Sequence, residues 1–252
     1  MKLHSQILGK GDPVIIMHGL FGSSDNWLSI GKQLALHHKC YLLDLRNHGR
    51  SPHSPDLNYD DMSEDLYEFL TDFSLRTVSV IGHSMGGMTA MKFALEYPHR
   101  VHKLVVVDIA PKSYPVMHGE ILAGLKAIPA ANVTSRKEAD AILAEYVPSV
   151  RIRQFLLKSL QRTDKGTYIW RINLEAISGH ATDLGRGIIG NSTYDQPALF
   201  IRGEKSNFIA DEDIPLIEKK FTKSKIATIP DGTHWLHAEK PDELIQHLQS
   251  FL

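Results

Sequence analysis

The sequence predicts an α/β domain with a mostly parallel sheet flanked by helices, and three observations carry that prediction. Short apolar runs such as Val14-Ile15-Ile16-Met17 and Leu104-Val105-Val106-Val107 have the length of strands buried on both faces, and they are far too short to span a bilayer. Strand-like and helix-like segments alternate regularly as far as Asp108. Among them, Val78-Ser79-Val80-Ile81 runs through Gly82-His83-Ser84-Met85-Gly86-Gly87 straight into a helical pattern, Met88 to Leu95.

In order, Pro13–Met17 reads as a strand ending in His18-Gly19-Leu20-Phe21-Gly22, and Ser23-Ser24-Asp25-Asn26 offers helix caps ahead of Trp27–Leu36. Lys39–Leu43 is the next strand, closed by the polar loop Asp44-Leu45-Arg46-Asn47-His48-Gly49-Arg50-Ser51-Pro52. Tyr59–Asp72 has helical period, with Met62, Leu66, Phe69 and Leu70 on one face. A strand from Lys103 to Val107 stops at Asp108, and there the rhythm breaks. From Pro111 to Asp195 only helix-like patterns are found, Met117–Ala127, Ser135–Tyr146 and Ile152–Leu160, with no convincing buried strand. The sheet resumes at Pro197–Ile201 and Lys225–Ile229, and Pro241 opens a C-terminal helix.

Composition bounds the function. With 252 residues, 42% hydrophobic and 23% charged, the chain can bury a full core. A formal net charge of -1, with no block of five like charges, gives no support to a nucleic-acid or polybasic membrane role. The one cysteine, Cys40, cannot form an intramolecular disulfide. Met1–Lys10 lacks the apolar core of a signal peptide, so the chain reads as cytoplasmic.

A serine that attacks a carbonyl must stand clear of the sheet on a tight strand-to-helix turn. Side chains two positions to either side would collide there, which accounts for Gly82 and Gly86 around Ser84. The helix start adds backbone N–H groups where negative charge develops in acyl transfer. A hydroxyl is a poor nucleophile and needs a base, most often a histidine held by an acid. Of fourteen histidines, position selects His234, which follows a late strand and precedes the final helix.

Taken together, His18–Ser23, Asp44–Gly49, Gly82–Gly87, Asp108–Pro111 and His234–Pro241 resemble the α/β-hydrolase fold and, more narrowly, its small bacterial YbfF-type esterases. The resemblance runs the whole chain, including Gln154–Ser159 and Trp170–Asn173. It implies a core of residues 1–110 and 196–252, with a helical lid, 111–195, inserted after the sixth core strand. It also implies cofactor-free hydrolysis of small to medium acyl esters, or of acyl thioesters, through an acyl-serine intermediate, with no metal. Carried over, Ser84 is the nucleophile, His234 its general base and acid, and the backbone N–H groups of Leu20 and Met85 the oxyanion hole, with Phe21 the alternative donor.

Two positions depart from the pattern. Thr233 stands where relatives carry glycine, and Gly203-Glu204-Lys205-Ser206 lacks the usual late acid. Asp108 is the favoured substitute, with Ser206 in support and Glu204 or Asp211 the alternatives. His18 is expected to brace the oxyanion loop, His83 to pack at the pocket rim, and Asp44, Arg46 and His48 to fix a loop. Phe155 and Trp170 are expected in the core of the insertion. Arg151, Arg153, Lys158 and Arg162 could serve nucleotide phosphates of an acyl-CoA or form a solvated face. A carbon–carbon hydrolase or lyase on the same fold, and a ligand-binding protein without turnover, are the other classes. The substrate is expected to be a small molecule, and the sequence assigns no oligomeric state.

Overall fold

A computed structural model describes residues 1–115 and 119–252. Along the chain run strands β1 (Ser5–Leu8) and β2 (Asp12–Met17), helix α1 (Leu28–Leu34), β3 (His38–Leu43), α2 (Tyr59–Asp72), β4 (Val78–His83), α3 (Met85–Glu96) and β5 (Val101–Val107). Then come α4 (Gly119–Ala127), α5 (Arg136–Ala144), α6 (Val150–Leu156), β6 (Leu160–Arg162), β7 (Tyr168–Trp170), α7 (Leu174–Gly179) and α8 (Ala181–Leu184). The chain closes with β8 (Ala198–Gly203), α9 (Ile214–Lys220), β9 (Ser224–Ile229), α10 (Leu236–Glu239) and α11 (Pro241–Phe251).

Seven strands form one sheet in the order β1-β3-β2-β4-β5-β8-β9. β1 is antiparallel to β3 and every other pair is parallel. β4 is therefore the middle strand, and its last residues stand in register with Met17 of β2 and with Val106 and Val107 of β5. Side chains of the central strands alternate between two apolar layers, as period-2 geometry requires. Ile15, Tyr41, Val80, Val106 and Phe200 face the layer that holds α2 and α3. Val14, Cys40, Ile81, Val105 and Leu199 face α1 and α11.

Local sequence accounts for the helices. Asn58 caps α2 by accepting from the Asp61 N–H at 2.8 Å, Asp60 and Asp61 sit in its first turn, and Met62, Leu66, Phe69 and Leu70 are buried on one face. Ser135 and Ser149 cap α5 and α6 in the same way. Among the described residues no helix is long and apolar enough to cross a membrane.

Two expectations are corrected. Five strands, not six, precede the insertion. Nor is the insertion wholly helical: β6 and β7 pair antiparallel from Leu160↔Trp170 to Arg162↔Tyr168. Their turn closes with Gly166 at φ 82°, its N–H donating to Thr163 O at 3.0 Å. Met117, where the first helix of the insertion was expected to begin, lies outside the described residues. The segment packs on loops at the carboxyl edge of the sheet. Asn173 donates its N–H to Asn47 O at 2.9 Å and its side-chain amide to Asn47 Oδ1 at 3.0 Å, and the Tyr59 hydroxyl donates to Leu184 O at 2.8 Å.

Candidate active site

At the carboxyl end of β4 the chain turns into α3 within one residue. Ser84 makes that turn at φ 53° and ψ -117°, a region that L-residues avoid. Its N–H donates to Val107 O at 3.1 Å, and its carbonyl accepts from the Met88 N–H at 2.9 Å. No side chain fits at the flanking glycines. A Cβ at Gly82 would lie 2.1 Å from Gly86 O, and one at Gly86 would lie 2.6 Å from Met17 O and His18 O.

The Ser84 hydroxyl lies 3.0 Å from His234 Nε2, and His234 Nδ1 lies 2.8 Å from Asp108 Oδ2. Asp108 follows β5 in the left-handed region, φ 52°, and is fully buried. Its other oxygen accepts the Gly203 N–H at 3.0 Å, and Oδ2 also accepts a short hydrogen bond from the Ser206 hydroxyl. Three sequence-distant groups and Ser206 are thus brought together. The alternative acids are placed elsewhere. Glu204 accepts the Asp231 N–H at 2.9 Å, and Asp211 pairs with Arg202 at 2.7 Å. Thr233 does not disturb the histidine loop; its hydroxyl donates to Glu239 at 2.6 Å. Phe208, which sequence reasoning missed, stacks on the His234 ring with centroids 3.7 Å apart and an interplanar angle of 16°. An isolated phenylalanine in a loop carries no sequence signal for such a contact.

The turn after β2 closes with the Gly22 N–H on Gly19 O at 3.0 Å and Phe21 at φ 63°. The Phe21 N–H donates to His48 Nε2 at 3.2 Å. By contrast, the N–H groups of Leu20 and Met85 have no acceptor among the described residues, and both residues line the same cavity as Ser84. The turn is braced from behind. His18 Nε2 accepts the Leu45 N–H at 3.0 Å and its Nδ1–H donates to Gly19 O at 2.8 Å. His48 Nδ1–H donates to Arg46 O at 2.8 Å, and Arg46 is bidentate on Asp65 at 2.6 and 3.0 Å. Burial holds both imidazoles neutral, His18 below its ordinary range and His48 down to about 3. Asp44 accepts the Ser24 N–H at 2.6 Å and the Arg50 N–H at 2.8 Å. Burial alone would raise its carboxyl, but the hydrogen bonds from Ser24 and Arg50 outweigh that and leave it below the usual carboxylate range.

His83 corrects an expectation. It does not face the pocket rim; it is 1% exposed, and its Nε2–H donates to the His234 carbonyl at 2.9 Å. Burial, with His237 and His234 nearby, holds it neutral, well below the ordinary histidine range. Phe155 packs on Trp235 with ring centroids 4.3 Å apart, and Trp170 packs on the apolar core; neither lines the cavity beside Ser84. That cavity holds about 580 Å³ including its open mouth. Its walls are apolar, chiefly Leu20, Met88, Ile109 and Phe208 from the core and Leu122, Ile177 and Leu184 from the insertion. The two tyrosines in it have committed hydroxyls, Tyr59 to Leu184 O at 2.8 Å and Tyr114 to Phe208 O at 2.6 Å.

A nucleophile elbow in the middle of a parallel sheet, facing a histidine and a buried carboxylate from the next strands, defines a serine hydrolase architecture. The alpha/beta hydrolase fold family matches residues 12–241, and the chain belongs to that family and, within it, to the ester hydrolases. It is 42% identical over 255 residues to the sn-1-specific diacylglycerol lipase ABHD11 of Danio rerio, covering 97% of this chain and 80% of that one. It is 34% identical over 244 residues to Esterase YbfF of Escherichia coli (strain K12), covering 95% of this chain and 92% of that one. The solved structure of a marine microorganism esterase superposes with a TM-score of 0.97 at 44% identity, covering 100% of this chain and 99% of that one.

Proposed function

We propose that the protein hydrolyses small to medium carboxylic esters through an acyl-serine intermediate, with Ser84 as nucleophile, His234 as general base and acid, and Asp108 as the acid of the triad. The observation that carries this reading is the unbroken relay from Ser84 through His234 to Asp108, at 3.0 and 2.8 Å, on a strained elbow. Ser84 Oγ attacks the ester carbonyl as His234 Nε2 takes its proton. The carbonyl oxygen gains the negative charge between the N–H groups of Leu20 and Met85. His234 then gives the proton to the departing alkoxide, and the alcohol leaves. Water enters, His234 takes one of its protons as the oxygen attacks the acyl carbon, and the bond to Ser84 Oγ then breaks as His234 returns the proton to that oxygen, releasing the acid and restoring Ser84. Asp108 holds the ring and offsets the imidazolium charge, while Ser206 and the Gly203 N–H hold its carboxylate.

Residues 111–195 act as the lid, and their apolar inner side sets acyl preference. A cavity with apolar walls and committed tyrosine hydroxyls suits an uncharged acyl chain. The zebrafish relative's name makes glycerol esters a natural substrate panel. Of the four basic residues that could meet the phosphates of an acyl-CoA, Arg153 is buried on Asp140 and the carbonyls of Val147 and Pro148 and Arg151 pairs with Glu239 at 2.6 Å, while Lys158 and Arg162 have no ion pair among the described residues, so the assay below decides between ester and thioester.

The test is a chain-length series of p-nitrophenyl esters beside acyl-CoAs of matching length, run on wild type and Ser84→Ala. We expect esters to be preferred, the variant to be inactive with its thermal transition within a few degrees of wild type, and a fluorophosphonate to label Ser84 alone. Activity retained by Ser84→Ala, or label on another serine, would remove the mechanism.

A further inference from the structure

We propose that His83, the residue immediately before the nucleophile, is a positioning residue that anchors the backbone of His234, an inference that rests on the triad reading above. The loop between β9 and α10 needs such an anchor. Its neighbouring residues are tied, with Gly232 O accepting the Lys205 N–H at 2.8 Å and the Thr233 hydroxyl donating to Glu239 at 2.6 Å. For the carbonyl of His234 itself, the donor among the described residues is His83 Nε2–H, at 2.9 Å.

Residue 234 is therefore gripped at both ends by two consecutive residues of one rigid turn. Ser84 meets its imidazole and His83 meets its carbonyl. The side-chain relay alone does not fix the backbone of residue 234 against the elbow, and reactions of this kind lose about a hundredfold for a misplacement of about 1 Å. A second grip from the elbow fixes the imidazole relative to the hydroxyl whatever the loop does.

The details fit a donor rather than mere filler. A neutral imidazole has one N–H, and here it is spent on that carbonyl; Nδ1 is buried with no partner among the described residues. Gly19 leaves the ring its room, since a Cβ there would lie 2.8 Å from His83 Nδ1. The same ring therefore touches the turn that carries the Leu20 N–H, the elbow and the histidine loop. Its other neighbours are the rings of His234 itself at 4.8 Å, His237 at 4.8 Å, Trp235 at 6.2 Å and Trp27 at 6.3 Å, which a filler could pack against equally well.

The experiment separates donor from filler. Glutamine at this position carries an N–H about as far from Cα as Nε2; asparagine is as polar but too short; leucine fills space without donating. His83→Gln, His83→Asn and His83→Leu are assayed with p-nitrophenyl butyrate, with thermal midpoints recorded and Ser84→Ala run alongside. We expect His83→Leu and His83→Asn to lower kcat about 10- to 100-fold with KM within about threefold of wild type. His83→Gln should recover kcat to within about fivefold of wild type. If leucine proves unfolded, the Gln and Asn pair decides alone. Equal loss in Gln and Asn, or no loss in Asn, overturns the inference. Activity in Ser84→Ala would instead overturn the triad reading on which it rests.

Discussion

The carboxyl edge of the sheet carries two sets of histidine and buried aspartate, and they behave in opposite ways. On one side, after β2 and β3, stand His18, Asp44 and His48; on the other, after β5, β8 and β9, stand Asp108, Ser206 and His234. In the first set both imidazoles bond backbone groups, Leu45 and Gly19 for His18 and Phe21 and Arg46 for His48, and Asp44 accepts from Ser24 and from the Arg50 N–H. A proton has nowhere to go, and the imidazoles hold a loop. In the second set the imidazole lies between a carboxylate and a hydroxyl, side chains that can carry or lose charge. The residue types are alike, and on the proposed mechanism the partner decides whether a histidine is a brace or a base.

The comparison breaks first at its two aspartates. Asp108→Asn should lower turnover about ten-thousandfold with the protein still folded, by analogy with the serine-protease acid. Asp44→Asn should leave turnover within about tenfold of wild type and lower unfolding free energy by about 1–3 kcal/mol, because one amide cannot accept the bonds that two carboxylate oxygens accept. Kinetics and denaturant titration of the pair decide it; a large turnover loss in Asp44→Asn alone would invert the assignment.

A smaller effect is expected at Ser206. Its hydroxyl supports Asp108 but carries no charge, so Ser206→Ala should cost turnover less than about tenfold, readable in the same assay.

The last test reads the buried neutral histidines of both sides through pH. His18, His48, His83 and His237 are all held below the ordinary histidine range, by burial first, with His48 and His237 at about 3. The unfolded chain takes up protons below about pH 6.5 that the folded chain refuses. All four therefore cost stability as pH falls below about 6.5, and for His48 and His237 the loss runs on toward 3 at about 1.4 kcal/mol each per pH unit. Melting curves between pH 7.5 and 4.5 should show this slope. His237→Phe should flatten it by one proton's worth, since the ring stacks on Trp27 at 5.2 Å and its Nδ1 has no partner among the described residues. An unchanged slope in that variant would show that His237 is not one of the groups responsible.

Much of this was legible in residue order, because the elbow is a local object. Strand, glycine-framed serine and helix sit within eighteen residues, Val78 to Leu95, and the helix Tyr59–Asp72 has the bounds its period predicts. What escaped was either short or long-range. β1 is a four-residue edge strand with one side chain exposed and three half-buried, too brief to show alternation, and β6 and β7 have three residues each. For that hairpin the signal was present in Asp164-Lys165-Gly166, a turn sequence that outweighs the helical pattern around it. The contacts of Phe208 and His83 with His234 join residues far apart in sequence, and no spacing rule reaches across them.

One feature of the edge bears on how such a protein can change over generations. Of its left-handed non-glycine residues, Asn47, Asp108 and Asp231 are of the types that tolerate that conformation, whereas Phe21 and Ser84 are not. Such a residue costs folding stability of order 1–3 kcal/mol, against a net of about 5–15 kcal/mol for a whole domain. At 47 or 231 a drift to glycine relieves a little strain. At 84 the same drift relieves more and, on the proposed mechanism, removes the nucleophile. Heat tolerance and turnover therefore make opposite demands on this one residue.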